Sequence, residues 1–535
     1  MKNHWSIDQW HLEVYEPRYY SGSYARTAKL FGMSKNFVLC THATNHLKKD
    51  GIVTYKENRP LHLLILVYNN RLSPMLLYHH AQITYMAKDN INYFFNPKSI
   101  AVIGASRSPK KFGHIIFRNL LGKAYPVNPN AQEVLGKKCY RSVKEIKGAI
   151  DLAVIAVPSA AVADAVKECN EKGVKAAVIV TSGFAEIGRH DEEAKIRQLA
   201  GKMRLIGPNV IGLYDPYSGV DTVFNLRHRQ QRPRKGSIAF LSQSGALGAA
   251  VMDQASYDHI GLSKFVSLGN MADVNETDML DYLAGDNNTK TITMYIEGSK
   301  DYRKLYESLK RVTKTKPVIV VKAGKTEETK KAVASHTASL AGAADIFSGM
   351  LRQAGAIESS SDDMFDIAKA FNQPLPHGNR VQIVTDGGGF GILAADALIA
   401  NGMRLSRLSS AKEIKNYVPS YATVSNPLDL TGDATTNRYR DVLPFVFKDQ
   451  GVDMVLVVLL MQISALDSKI VDVLASMKRF KKPFVVCMAG GEYTNIHRKL
   501  LEEKGIPTYS SPEKAAKALK ALFDYEKYRR RSKSS

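Results

Sequence analysis

Short apolar runs alternate with amphipathic stretches over most of the chain, and the alternation changes character near residue 86. From Ser99 to about Gly212, buried-type runs at Ile100–Ile103, Leu152–Val157 and Ala176–Val180 are separated by amphipathic segments that end in glycine. That is the pattern of parallel strands joined by crossover helices. A polar connector, Arg227–Lys235 with Pro233, interrupts it and reads as a linker. A second series follows, with strands expected at Ser237–Leu241, Phe265–Leu268, Thr291–Ile296 and Val318–Val321, and helical patterns continue to about Ala370. After Gln373-Pro374-Leu375-Pro376 a third series begins at Val381–Thr385 and runs through Met454–Leu460, Phe484–Met488 and a terminal helix from Pro512. The expected fold is therefore α/β, with three doubly wound units at residues 90–230, 236–372 and 380–530.

Residues 1–85 are drawn from a different pool: they hold both tryptophans, seven of the fourteen histidines and eight of the 25 tyrosines. Within them, Ala28-Lys29-Leu30-Phe31-Gly32-Met33-Ser34 has the spacing of a helix-turn-helix, Gly32 closing the turn and Ser34 capping a second helix through Val38. The segment is expected to be either such a module or an appended extension that is not native, with Met86 a natural start.

Composition narrows the function classes. At 535 residues, 44% hydrophobic and 23% charged, the chain has an ordinary globular composition. Its longest apolar stretches, Leu61–Tyr68 and Met454–Met461, fall far short of the roughly 20 residues of a membrane span. The N-terminus lacks the features of a secretory signal, and a cytoplasmic location is expected. Cys40, Cys139, Cys169 and Cys487 stand apart from one another and from histidine clusters, so they form no metal framework and are expected to be buried small hydrophobes. The formal charge of +23 is spread along the chain, apart from a basic tail at Lys527–Lys533. It fits attraction of polyanionic small molecules, and a nucleic-acid partner is not expected.

Chemistry concentrates in the turns after strands. The first strand runs into Gly104-Ala105-Ser106, then a basic loop through Lys110 and Lys111, and Gly113 opens a helix. Such a turn can aim backbone amides at a phosphate. No GxGxxG is present, and the second strand ends in Pro126-Val127-Asn128 where a dinucleotide enzyme would offer an acid, so NAD is disfavoured. Val157-Pro158, Ser182-Gly183 and Asn209 follow later strands of the same unit and would line one crevice at the carboxyl edge. In the second unit, Ser242-Gln243-Ser244-Gly245 joins a strand to a helix and either holds a phosphate or packs the helix closely. His336 sits among small residues in Ala334–Gly342, and Glu297 follows the strand Thr293–Ile296 where such a histidine could reach it.

The sequence resembles a known family in several places at once. Tyr93–Ser106 is similar to the opening of the alpha subunit of archaeal ADP-forming acetate–CoA ligases, of the succinyl-CoA synthetase superfamily. Leu241–Gly248, Val266–Asn270, Tyr295–Gly298, Ser335–Gly342 and Ser425–Asp429 resemble the same family's other signatures, in the same order, across about residues 90–530. The resemblance implies a Rossmann-like CoA-binding domain followed by two flavodoxin-like ligase domains. It implies CoA on Gly104, Ala105, Ser106, Lys111, Pro126, Asn128, Val157, Pro158, Ser182, Gly183 and Asn209, and phosphate on Ser242, Gln243, Ser244 and Gly245. His336 matches the residue that is phosphorylated during turnover, and Glu297 the glutamate that holds its other nitrogen. Acyl-CoA and phosphate would give acyl-phosphate and CoA, and phosphohistidine would pass its phosphoryl group to ADP.

The chain departs from the family at Ala338, where glycine is usual, at Ala343, where serine is usual, and at Asp386 and Phe390 in a turn that usually reads Thr-Asn-Ala-Gly-Gly-Pro-Gly. The family's nucleotide-binding ATP-grasp module has no room in the three units. The resemblance therefore implies a separate beta subunit carrying ADP or ATP with Mg2+, in an α2β2 assembly, with no membrane partner. Two alternatives stand beside this reading: a CoA-binding regulatory protein without catalysis, and a DNA-binding regulator that senses acyl-CoA through residues 28–38.

Overall fold

The computed structural model describes the side chains of residues 90–326, 328–329 and 344–533, and within residues 1–89 the backbone of seven strands. The chain forms two compact units, residues 1–89 and 90–535. In the first, the strands Asn3–Ile7, Trp10–Tyr15, Tyr24–Leu30, Asn36–Thr41, Gly51–Lys56, His62–Tyr68 and Arg71–Leu72 pair in chain order as one antiparallel sheet. The helix-turn-helix expectation fails here: residues 28–30 and 36–38 lie on two paired strands, Ala28 opposite Phe37 and Thr27 opposite Val38. Threonine, phenylalanine and valine suit a pleated ladder better than a short helix, and the seven-residue spacing carried little information against partners on both edges. Gly32 and Ser34 lie outside the described residues.

The second unit holds three largely parallel sheets. In the first, the strands Ile100–Ile103, Ala124–Val127, Leu152–Ile155, Ala176–Ile179 and Arg204–Ile206 are all parallel, and numbered along the chain they stand in the order 5-4-3-1-2. The winding reverses between Ile100–Ile103 and Leu152–Ile155, so the crevice expected of such a sheet opens after those two strands. The three successive strands Ile100–Ile103, Leu152–Ile155 and Ala176–Ile179 are buried along their whole length, which is why they read as continuous apolar runs.

The second sheet has Lys235–Ser242 at its centre, flanked in parallel by Leu262–Ser267 and Thr291–Ile296, with Val318–Lys322 and Ile357–Glu358 beyond. Its far edge is a hairpin, Leu213–Asp215 and Val220–Asp221, that pairs antiparallel with Leu262–Ser267. The expected linker is anchored rather than loose: Arg232, 3% exposed in its side chain, pairs with the buried Asp221 and donates to the carbonyls of Val223 and Asn225.

In the third sheet, Arg380–Thr385 lies between Leu428–Asp429 and Met454–Val458, followed by Phe484–Cys487 and Thr508–Tyr509. One hydrophobic core spans the second and third sheets, with Phe240, Phe265, Met252, Leu398, Leu519 and Tyr525 all buried in it. Phe240 packs against both Phe265 and Phe365. The two sheets are thereby held as one body. Cys139, Cys169 and Cys487 are buried, and burial pushes the thiols of Cys169 and Cys487 up to about 12.

Candidate active site

The crevice predicted by the first sheet exists and is larger than one domain. A cleft of about 1480 Å³ starts at the carboxyl ends of Ile100–Ile103 and Leu152–Ile155 and continues to the start of the helix Gly245–Tyr257 in the second sheet's layer. Its floor depends on two glycines. Gly104 has φ +91°, and a Cβ there would meet the Ala156 carbonyl at 2.3 Å; a Cβ on Gly113 would lie 1.9 Å from the Gly104 carbonyl. Three backbone segments therefore touch where the winding reverses, and only glycine fits at these two positions.

Of the residues expected to hold CoA, Gly104, Ser106, Lys111, Asn128, Val157, Pro158, Ser182 and Asn209 line this cleft. Ala105, Pro126 and Gly183 do not line it and act from behind. The Ala105 carbonyl accepts from Asn128 Nδ2 at 2.7 Å, the Pro126 carbonyl accepts from Tyr140, and the Gly183 amide donates to Glu186. Lys111 stands at the N-cap of the helix Phe112–Asn119, so its ammonium and that helix's amides share one mouth of the cleft with Lys110 and Arg141. Phe112 and Phe224 stack beside them with ring centroids 4.0 Å apart.

The second group divides differently. Gln243, Ser244 and Gly245 line the cleft, whereas Ser242 is fully buried and donates to the Ser244 carbonyl at 2.7 Å. Ser244 caps its helix, accepting from Leu247 N at 3.3 Å. The Gln243 side chain faces a neighbouring strand: Oε1 accepts from Glu297 N at 2.6 Å and Gly298 N at 3.1 Å, and Nε2 donates to the Gly298 carbonyl at 2.7 Å. Glu297 is 5% exposed and directly follows the strand Thr291–Ile296. Burial and the nearby Glu297 carboxylate together push the Tyr295 phenol up to about 12. On the opposite side the buried Lys322 donates to the Glu297 carbonyl at 2.8 Å. His336, Ala338 and Ala343 lie outside the described residues.

The sequence did not single out the residues that join the two domains across the cleft. Asn270 Nδ2 donates to Glu186 at 2.6 Å and to Glu193 at 2.8 Å, its Oδ1 accepts from Asn209, and its backbone N donates to the Pro208 carbonyl. Val266–Asn270 had carried part of the family likeness without a role; its partners are some 60 to 85 residues away, beyond any local pattern. Met271, Ser299 and Lys300 line the same end. Behind Ser299, Glu276 accepts its hydroxyl, and burial holds the Glu276 carboxyl above the usual range.

A second phosphate-type turn lies in the third sheet. After Thr385, Gly387 caps the helix Gly388–Ala400 and Asp386 turns inward, accepting from Leu460 N at 3.0 Å. Asp386 is 1% exposed, and burial pushes its carboxyl up to about 6. Its place against Leu460 means that the departure at this position ties two strand ends together and does not face solvent.

The pattern of the CoA binding domain matches residues 98–216, that of the succinyl-CoA ligase like flavodoxin domain residues 235–371, and that of the ligase-CoA domain residues 381–532. The chain is 41% identical over 453 residues to the acetate–CoA ligase [ADP-forming] II subunit alpha of Pyrococcus furiosus, covering 82% of this chain and 98% of the relative. It is also 41% identical to the acetate–CoA ligase [ADP-forming] of Methanocaldococcus jannaschii, covering 81% of this chain but 63% of that relative. Among solved structures, the dinucleotide forming acetyl-coenzyme A synthetase 1 of Candidatus Korarchaeum cryptofilum, in complex with phosphate and ADP, superposes with a TM-score of 0.78 at 37% identity, covering 83% of this chain and 98% of that one.

Proposed function

Since the chain belongs to the family of ADP-forming acetate–CoA ligase alpha subunits, we propose that it is the alpha subunit of an ADP-forming acyl-CoA ligase. The enzyme interconverts acyl-CoA, ADP and phosphate with carboxylic acid, CoA and ATP. The observation that carries this reading is the single cleft that runs from the Gly104–Lys111 turn to Gln243, whose side chain grips the backbone of the buried Glu297.

In the acyl-forming half, a phosphate oxygen attacks the thioester carbonyl carbon. A C–O bond forms, the C–S bond breaks, and the sulfur leaves as a thiolate that takes up a proton. A nitrogen of His336 then attacks the phosphorus of the acyl-phosphate; an N–P bond forms and the carboxylate leaves with the electron pair of the broken P–O bond. The phosphoryl group next passes from nitrogen to ADP. Within this sequence Lys111, Arg141 and the amides at the start of the helix Phe112–Asn119 hold the phosphates of CoA, while the helix start at Ser244–Gly245 faces the transferred phosphate. Glu297 accepts from the far ring nitrogen of His336, fixing its tautomer and offsetting the positive charge that builds on the ring as phosphorus adds. A buried carboxylate held on both flanks of its backbone suits that task, and favours catalysis over a purely regulatory CoA-binding role.

ADP and Mg2+ belong to a separate ATP-grasp beta subunit in an α2β2 assembly. Support comes from the near-complete span of a relative named as an alpha subunit, set against 63% of a relative whose name carries no subunit. Purified alone, the chain is expected to give no sustained ATP from acetyl-CoA, ADP and phosphate, and adding its partner subunit restores turnover. Robust ATP formation by the chain alone would overturn the division of labour. Replacing Lys111 by alanine is expected to raise the CoA KM roughly two- to fivefold at low salt, an effect that fades as ionic strength rises, with kcat unchanged.

A further inference from the structure

The geometry points to Gln243 as a positioning residue for Glu297, in place of the phosphate-ligand role that the family resemblance implied; the inference rests on the proposed role of Glu297. Apart from a 3.7 Å contact of its Nε2 with the Met271 sulfur, the side chain of Gln243 bonds backbone. Its Oε1 accepts from two successive amides, Glu297 N and Gly298 N, and its Nε2 donates to the Gly298 carbonyl. Its own backbone N donates to the Tyr295 carbonyl at 3.2 Å. Gln243 thus continues the ladder between Lys235–Ser242 and Thr291–Ile296 one step past the point where both strands have ended. The neighbour on the other side does the same: Ala323 N donates to the Ile296 carbonyl at 2.9 Å and Lys322 Nζ to the Glu297 carbonyl.

Glu297 therefore stands on backbone clamped between two strand ends. A carboxylate that must meet an arriving imidazole needs that fixity, because an error of about 1 Å in placement can cost roughly 100-fold in rate. The Gln243 position calls for a neutral group that both accepts and donates, which an amide supplies at every pH. Two N–H groups need an acceptor and one carbonyl needs a donor, and all three lie where solvent does not reach, Gln243 being 7% exposed and Glu297 5%.

The test follows from that donor and acceptor pattern. Gln243→Glu keeps the acceptor but sets a second oxygen against the Gly298 carbonyl; protonation restores a donor there, and the buried, carbonyl-facing site favours the neutral acid. With the partner subunit present, Gln243→Glu is expected to run roughly 10- to 100-fold slower than wild type at pH 8, with KM for CoA and for phosphate within about twofold. Its kcat relative to wild type should then rise at least about fivefold on going from pH 8 to pH 6. Gln243→Met, of similar size and without a polar group, should be slow at every pH, and an unfolding midpoint near that of wild type separates loss of position from loss of fold. A Gln243→Glu ratio flat with pH, or a phosphate KM raised with kcat intact, would overturn the positioning role and return Gln243 to ligand binding. Absence of turnover in the wild-type holoenzyme would overturn the proposed function itself, and the positioning role with it.

Discussion

Glu297→Gln is expected to slow turnover of the assembled enzyme roughly 10- to 150-fold, the rate equivalent of losing a charge-assisted hydrogen bond of about 1.5 to 3 kcal/mol. The substitution keeps shape and a hydrogen-bond acceptor while deleting the charge. Its backbone would stay where Gln243 and Lys322 hold it, so the change isolates the carboxylate. The loss should fall on kcat, because the charge acts on a ring that is neutral before phosphorus adds and positive afterwards. CoA KM should move by less than about twofold, since the CoA phosphates are proposed to bind at the far mouth of the cleft around Lys111 and Arg141. Steady-state kinetics with varied CoA and varied phosphate would read both numbers. Unchanged kcat would remove Glu297 from the mechanism.

The second large effect concerns stability. Asp386→Asn is expected to stabilise the chain by up to about 3 kcal/mol at pH 8, with the gain vanishing towards pH 4. In the unfolded chain this carboxyl ionises near 3.8, whereas in the fold burial lifts it to about 6, with the charge of Asp429 a smaller push in the same direction. Between those values the folded state keeps a proton that the unfolded state has lost, so wild-type stability falls as pH rises from about 4 to about 6 and stays lower above. Asparagine has no proton to lose, and its carbonyl can still accept from Leu460 N. The measurement is denaturant unfolding of both proteins across pH 4 to 8. Equal stability of the two at pH 8 would mean that Asp386 is solvated in a way the fold does not permit.

Much of the fold could be read from the sequence because parallel strands buried on both faces leave continuous apolar runs. Ile100–Ile103 and Thr291–Ile296 were placed to the residue, and Met454–Leu460 overran the strand Met454–Val458 by two. The edge hairpin at Leu213–Asp221 was missed: its strands are two and three residues long, and its partner, Leu262–Ser267, is some 50 residues further on. The Arg227–Lys235 stretch looked like a free linker because composition cannot show that Arg232 meets the buried Asp221. The glycine turns of the cleft were legible from residue type and spacing. What Gln243 does was not, since its partners directly follow a strand about 50 residues downstream and only pairing brings them together. The hub at Asn270 escaped for the same reason.

In the proposed mechanism every turnover passes through a phosphorylated His336, and one measurement addresses that step directly. The chain, assembled with its partner subunit, would be incubated with labelled phosphate and acetyl-CoA, and acid-labile, base-stable label mapped by peptide in wild type and in His336→Asn. The expected result is label on the peptide carrying His336 in wild type and none in His336→Asn. Label that persists in the variant, or its absence from both while CoA still binds, would contradict phosphohistidine chemistry at this position.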